Sequence, residues 1–176
     1  MRLTVAVAAA GASLVAVSAL AAGPPSVQEL RDCGTRAEGR GPQQLPSPPG
    51  FTIGLLTIWP SVRATAGTAP FPDWPYAVKA PIVLPARTKL VLAIGPKGIG
   101  RAAFQSHRRG WVTAVRFEAC PANQPAFAYE GTVGKYTGFP FAIAIKQRAA
   151  CIPMEVWLDG AAVPIRRVVP IGRPRC

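Results

Sequence analysis

The sequence has one histidine, His107, and one asparagine among its 176 residues. A catalytic histidine pair or a histidine-based metal cage is therefore excluded. Acidic residues are also scarce, with 8 Asp and Glu against 20 Lys and Arg. Charged residues make up 16% of the chain, which is low for a cytosolic enzyme. These shortages do not identify a function, but they narrow the classes of function that the chain can serve.

No Cys-x-x-Cys pair is present, and the four cysteines lie 87, 31 and 25 positions apart. Such spacings bring no zinc ligands together locally, so we expect no metal site. An even cysteine count in an exported chain instead indicates two disulfides. Three pairings are open, and we predict Cys120–Cys151, which joins two expected strands, with Cys33–Cys176, which joins the two ends of the mature domain.

The N-terminus has the pattern of a secretory signal peptide. Arg2 precedes an uncharged stretch at 3–20, and the small residues Ala19 and Ala21 occupy the −3 and −1 positions of a cleavage site. Pro24 then prevents continuation of a helix. We predict a signal peptide over 1–21, with a retained N-terminal membrane anchor as the alternative. No later stretch is long and apolar enough to cross a bilayer, so we expect a secreted or envelope-associated protein without a transmembrane helix after cleavage.

No segment after the signal carries a capped apolar stripe of helical period. Residues 22–50 are rich in Pro and Gly and predict an irregular arm, with one short helical turn at 26–32. From 51 onward, apolar residues alternate with polar ones, which is typical of strands with one buried face. The expected strands are 51–59, 76–84, 88–94, 111–119, 139–146, 154–158 and 163–169.

These short strands predict a single all-β domain over 51–176. The preferred architecture is an antiparallel, Ig-like β-sandwich with two disulfides, and a small β-barrel is the alternative. Asp159-Gly160 predicts the hairpin turn between the last two strands. The residues expected to be buried are Leu90, Val115, Phe117, Ile143, Ile145 and Val156.

The chain is strongly basic, with a net charge of +12 that falls to +11 when the signal segment removes Arg2. Such a charge favours anionic surroundings, for which a cell-wall polymer or a polysaccharide is the expected partner. No basic tail interleaved with aromatics is present, so no specific nucleic-acid partner is expected. The candidate residues for an anionic ligand are Arg116, Arg166, Arg167, Arg173 and Arg175. If the strands that carry them were neighbours, their guanidinium groups would converge.

The candidate catalytic residues do not form a recognisable set. Ser106 and His107 are adjacent, and adjacent residues on an extended chain point apart. Glu118 and Glu155 are expected to face outward, where they would pair with Arg116, Lys146 or Arg167 across the sheet. A small hydrolase acting on wall polysaccharide is the alternative function, because it needs only two carboxylates across a cleft. We predict no catalytic activity and no cofactor.

Glycine and aromatic residues offer two further hypotheses. Gly95, Gly98 and Gly100 follow a strand, but another strand follows them, so they predict a turn and not a phosphate-binding loop. Trp74 and Trp157 are the aromatic residues expected to be most exposed. Exposed rings could stack on sugar rings, although roles in the core or at a sheet edge are the more common use of such residues.

Several motifs in the last third of the chain form a recognisable pattern. They are Phe117-Glu118-Ala119-Cys120-Pro121, Thr137-Gly138-Phe139-Pro140, Cys151-Ile152-Pro153-Met154-Glu155-Val156 and the final Gly172-Arg173-Pro174-Arg175-Cys176. With them the chain resembles small exported proteins of unassigned function from high-GC Gram-positive bacteria, although Met154 replaces the expected Leu. The resemblance implies export, disulfides and a β-rich domain, and it brings no catalytic residues.

Together these observations predict a secreted, basic, disulfide-stabilised binding or structural module of the cell envelope or extracellular space. A small extracellular hydrolase is the alternative, and a cationic toxin or nucleic-acid binder is a third class.

Export gives the first testable prediction. The protein recovered from its native host should begin near Ala22, because signal peptidase cleaves after small residues. Its intact mass should be lower by the four hydrogens that two disulfides remove from the four cysteines. Recovery of a chain that retains Met1 in the membrane fraction would contradict this prediction.

Overall fold

Segments of alternating apolar and polar residues, interrupted by proline and glycine, form short strands in this protein. The structure, a computed structural model, describes residues 23–36, 50–106, 110–124 and 134–176. Within these ranges there are fourteen strands and three short 3₁₀ turns, Cys33–Thr35, Pro60–Arg63 and Pro96–Gly98. The predicted signal peptide at 1–21, much of the arm at 22–50, and His107 lie outside the described residues.

The first sheet has five strands, here numbered along the chain. Its order is β1 (Glu29–Arg31), β10 (Ala114–Glu118), β7 (Lys89–Ile94), β13 (Ala150–Leu158) and β14 (Ile165–Ile171). The pair β1–β10 is parallel and the other pairs are antiparallel. The turn at Asp159-Gly160 leads from β13 toward β14, as predicted, with Gly160 at a φ of +74°.

The second and third sheets are antiparallel throughout. The second has the order β11 (Tyr136–Phe139), β6 (Ile82–Pro85), β3 (Leu56–Ile58) and β2 (Phe51–Ile53). The third has the order β4 (Gly67–Phe71), β5 (Trp74–Lys79), β12 (Ala142–Ile145), β8 (Ala102–Gln105) and β9 (Trp111–Val112).

One apolar core lies between the sheets and takes side chains from all three. The predicted core positions Leu90, Val115, Phe117, Ile143, Ile145 and Val156 are all at most 2% exposed. The prediction of an all-β fold with antiparallel sheets and two disulfides is therefore confirmed. The described sheets are open at their edges, so the alternative of a closed barrel does not form.

Two predicted strands are each divided by a proline, because the chain passes there from one sheet to another. The run at 76–84 becomes β5 and β6, which separate at Pro81. The run at 139–146 becomes β11 and β12, which separate at Pro140. The two bends lie side by side, since Ala80 N–H donates to the carbonyl of Phe141 at 2.9 Å. Bends of this kind allow strands to change sheets at the corners of a sandwich.

The predicted disulfide pairing, Cys120–Cys151 with Cys33–Cys176, is wrong. The structure contains Cys33–Cys120 and Cys151–Cys176, with Cα separations of 4.9 and 5.7 Å. The first pairing follows from β1, which runs parallel to β10 and brings Cys33 level with the end of that strand. The second follows from the β13–β14 hairpin, whose antiparallel register returns the C-terminus to the start of β13.

Strand β1 replaces the helical turn predicted at 26–32, and its burial pattern explains why sequence periodicity missed it. Leu30 is 48% exposed while Arg31 is 1% exposed, which is the reverse of the usual apolar-inside pattern. Arg31 forms an ion pair with Glu29 and donates from Nη2 to the carbonyl of Gln105 on β8 at 2.9 Å. Burial lowers the pKa of Arg31 from its usual value, and the carboxylate of Glu29 opposes that shift.

Truncation of core side chains should test the observed burial. Phe117→Ala or Ile143→Ala should lower the free energy of unfolding by about 2–5 kcal/mol, because each leaves a cavity at a fully buried position. Val163→Ala is the matched control, since Val163 is 67% exposed and its truncation should cost less than about 0.5 kcal/mol. Equal losses in urea titrations of the core and control variants would contradict the assignment of the core.

Candidate functional site

The five arginines proposed for anion binding do not converge on one surface. Arg116 lies on β10 and Arg166 on β14, and the strands β7 and β13 separate them. Three strand spacings amount to about 14 Å. Arg173 and Arg175 follow β14 in the exposed C-terminal segment. The strands that carry these arginines are therefore not neighbours, as convergence would require, and the five arginines divide into separate groups.

The group around Arg116 is balanced in charge. Arg116 contacts Glu118 at 2.8 Å and Asp159 at 3.6 Å, and Lys89 lies 3.7 Å from Glu118. The predicted pairing of Glu118 with Arg116 is present, but both residues lie on β10, so the pair is not formed across the sheet as predicted; the cross-strand partner of Glu118 is Lys89. Two cations face two carboxylates here, so this cluster presents little net charge to an anionic ligand.

Arg166 and Arg167 line a groove of about 560 Å³ on the first sheet. One wall is formed by Pro96 and Lys97 from the turn that follows β7, and the opposite wall comes from β14. Pro153 and Glu155 of β13 lie between the walls. This groove brings two of the predicted arginines together with Lys97, a cation that the sequence analysis did not select.

The groove exists because Pro153 interrupts the hydrogen bonding between β7 and β13. Gly95 N–H donates to the carbonyl of Pro153 at 2.8 Å, but Pro153 has no N–H to return. The carbonyl of Gly95 instead accepts from Gly98 N–H at 2.7 Å. Strand β7 therefore ends and the chain turns through Pro96–Gly98. The predicted turn around Gly95 and Gly98 is confirmed, and it carries Lys97 to the rim of the groove.

The groove has more positive than negative charge. The groove lining includes three cations, Lys97, Arg166 and Arg167, and one carboxylate, Glu155, which is only 9% exposed. Arg166 lies opposite Glu155 on the outer face of the sheet, whereas Arg167 lies opposite the buried Met154, so its side chain starts from the other face at the sheet edge. Glu155 pairs with Arg166 Nε at 2.8 Å. The sequence analysis predicted Arg167 as a partner of Glu155, and the observed partner is the adjacent arginine. Arg167 donates to the carbonyl of Arg166 at 3.2 Å. In the described ranges, no carboxylate lies within 4.0 Å of Arg167 or Lys97.

The aromatic residues give little support to a sugar-stacking surface. The prediction that Trp157 is exposed is wrong, because its residue exposure is 5% and it packs with Val91, Ala93 and Ala114 on the outer side of the first sheet. Trp74 is half-buried, and Lys146 Nζ lies 4.7 Å from the centre of its ring. The Trp74 ring also contacts Trp111. The Trp74 ring is therefore occupied by contacts within the protein and offers little free surface for a sugar ring.

The candidate catalytic groups do not form an active-site arrangement in the described part of the chain. Glu118 and Glu155 are each held by arginine, and Ser106 is largely buried with its amide bonded to Gly110. Across the described ranges, His, Cys, Asp and Glu form no group of three able to hold a metal ion. No helix in those ranges has the length and apolar character needed to span a bilayer.

Comparisons of the chain with protein-family models, with curated proteins and with solved structures found no match. The groove is therefore interpreted from its own chemistry. One signal for it was present in the sequence, since a proline inside a run of strand-forming residues marks an edge or an interruption of pairing.

Close packing of the turn against Pro153 gives a test of the groove wall. A Cβ on Gly98 would lie 2.8 Å from Ile94 Cγ2 and 3.2 Å from the carbonyl oxygen of Pro153. Gly98→Ala should therefore lower the free energy of unfolding by about 1–3 kcal/mol. Gly23→Ala is the control, because nothing lies within 4 Å of its added Cβ. Equal stability of the two variants in urea would contradict the packing described for this turn.

Proposed function

We propose that this protein is a non-catalytic binding module, secreted or associated with the cell envelope, whose groove binds an anionic polymer such as a wall polymer or polysaccharide. The carrying observation is that Arg167 and Lys97 line an open groove without a carboxylate neighbour in the described ranges. Guanidinium groups bind carboxylates and phosphates with paired hydrogen bonds, so Arg167 is the expected principal contact.

The two disulfides support the extracytoplasmic part of this proposal. All four cysteines are paired, and stable disulfides are typical of oxidising compartments. One bond fixes the end of β1 to the end of β10, and the other closes the chain end onto β13. The bond at Cys151 lies two residues before Pro153, so it supports the strand on which the groove is built.

An anionic polymer suits the groove better than a small anion does. Individual exposed charge pairs contribute only about 0–1 kcal/mol, because water and salt screen them. A polymer presents many anionic groups along its length, so successive weak contacts add to a useful total. The net charge of +11 that remains after removal of Arg2 with the signal segment would increase the rate of encounter with such a polymer.

Removal of the two groove arginines should test the proposal. Arg166→Gln with Arg167→Gln should weaken retention on immobilised alginate, a carboxylated polysaccharide, by about 5-fold at low salt if each contact contributes about 0.5 kcal/mol. The difference should disappear near 0.5 M salt, where the screening length is about 4 Å.

The matched control is Lys79→Gln with Lys135→Gln, which removes the same charge from exposed positions outside the groove. The control should retain most of the wild-type binding. Equal loss in both double variants would indicate that net charge alone causes retention, and it would contradict a groove-specific site.

A further inference from the structure

The free edge of the first sheet adjoins the groove, and its hydrogen-bonding groups are set by the register of β13. Gly95 N–H bonds to the carbonyl of Pro153, and Asp159 N–H bonds to the carbonyl of Lys89. The odd-numbered residues of β13 therefore direct their backbone groups toward β7. In an antiparallel ladder the even-numbered residues, including Met154, must direct theirs toward β14.

The pairing of β13 with β14 then assigns the backbone groups of the edge. Met154 lies opposite Arg167, so the N–H and carbonyl of Arg167 point toward β13. Those of Arg166 and Val168 point away from the sheet, where the described residues provide no further strand. The bond from Gly172 N–H to the carbonyl of Val62 at 2.9 Å agrees with this alternation and closes the edge at its far end.

The open stretch is short and exposed. Val168 is 51% exposed, and the side chain of Arg166 is 69% exposed. Pro170 has the same orientation as Val168, so its missing N–H points away from β13 and costs no bond within the sheet. Pro170 is itself buried, so the open stretch ends at Val168. An incoming strand would therefore find N–H donors at Arg166 and Val168 and a carbonyl acceptor at Val168. The carbonyl of Arg166, which accepts from Arg167 Nη1 at 3.2 Å, offers its second lone pair.

The charge of this stretch argues against pairing between two copies of the chain. In an antiparallel pair of identical β14 edges, the arginines of one copy would face those of the other, and like charges opposite each other are destabilising. Charged residues and proline on an edge strand are common means of preventing such self-association. The same charges favour a partner strand that carries carboxylates.

We propose that the β14 edge binds an extended acidic peptide segment as an added strand. Its backbone bonds to Arg166 and Val168, and its carboxylates lie beside Arg166 on one face of the sheet and beside Arg167 on the other. This inference rests on the proposed anionic groove and names a polypeptide as the partner. Strand addition of this kind takes affinity from main-chain hydrogen bonds and specificity from alternate side chains. A carboxylated polysaccharide would use the same arginines without needing the backbone groups.

The test compares two probes on the full chain. The first probe is an eight-residue peptide in which pairs of glutamates alternate with pairs of valines, so that an added strand carries carboxylates on both faces. It is compared with a copy that is N-methylated on alternate amides. The second probe is alginate, which has carboxylates but no peptide backbone. Val168→Pro removes an outward N–H and leaves the charge unchanged, and Val168→Thr is the matched control that keeps this N–H. Thermal unfolding and intact mass of each variant establish that it is folded with both disulfides formed.

The wild type should bind the unmethylated peptide at least tenfold more tightly than the methylated one. Val168→Pro should lose at least tenfold in peptide affinity with unchanged alginate retention, while Val168→Thr should match the wild type for both probes. Equal binding of the two peptides, or failure of both peptides to bind while alginate is retained, would overturn strand addition and leave the proposed function standing. Alginate retention that is insensitive to Arg166→Gln with Arg167→Gln would instead overturn the proposed function. The methylated peptide keeps the inference testable if Val168→Pro does not fold.

Discussion

The hydrogen bond that Pro153 cannot donate determines the architecture of the candidate site. Proline is disfavoured inside a sheet because it leaves its neighbour's carbonyl without a partner. Here the carbonyl of Gly95 accepts from Gly98 instead, so β7 ends and a turn begins at that level. The turn places Lys97 opposite Arg166 and Arg167 across the groove. The missing N–H of Pro153 therefore accounts for the turn that forms one wall of the groove, and for the position of Lys97 on that wall.

The same principle organises the rest of the fold. Pro81 and Pro140 separate paired runs into strands of different sheets, which allows three sheets to enclose one core. Pro170 lies where its nitrogen points away from β13, so no bond within the sheet is lost and β14 continues to Ile171. Proline thus ends pairing where a neighbouring strand would need its N–H, and it is tolerated where no neighbour does.

Sequence periodicity predicted the buried faces well, because burial of alternate side chains follows from strand geometry alone. It could not predict that Arg31 is buried while Leu30 is exposed, since that depends on pairing with a strand more than eighty residues away. The disulfide pairing failed for the same reason, as it follows from the parallel contact of β1 with β10. The groove depends on the turn that carries Lys97 lying next to Pro153, because β7 and β13 are neighbours in the sheet. Sequence spacing does not indicate which strands are neighbours.

Residue-resolved amide hydrogen exchange along β14 tests the central claim most directly, namely that the β7–β13–β14 register leaves the outward backbone groups of β14 on a free edge beside the groove. The account predicts alternation, with slow exchange at Arg167 and Val169, whose amides face β13, and fast exchange at Arg166 and Val168, whose amides face outward. Uniform protection at all four amides, or the opposite alternation, would contradict it.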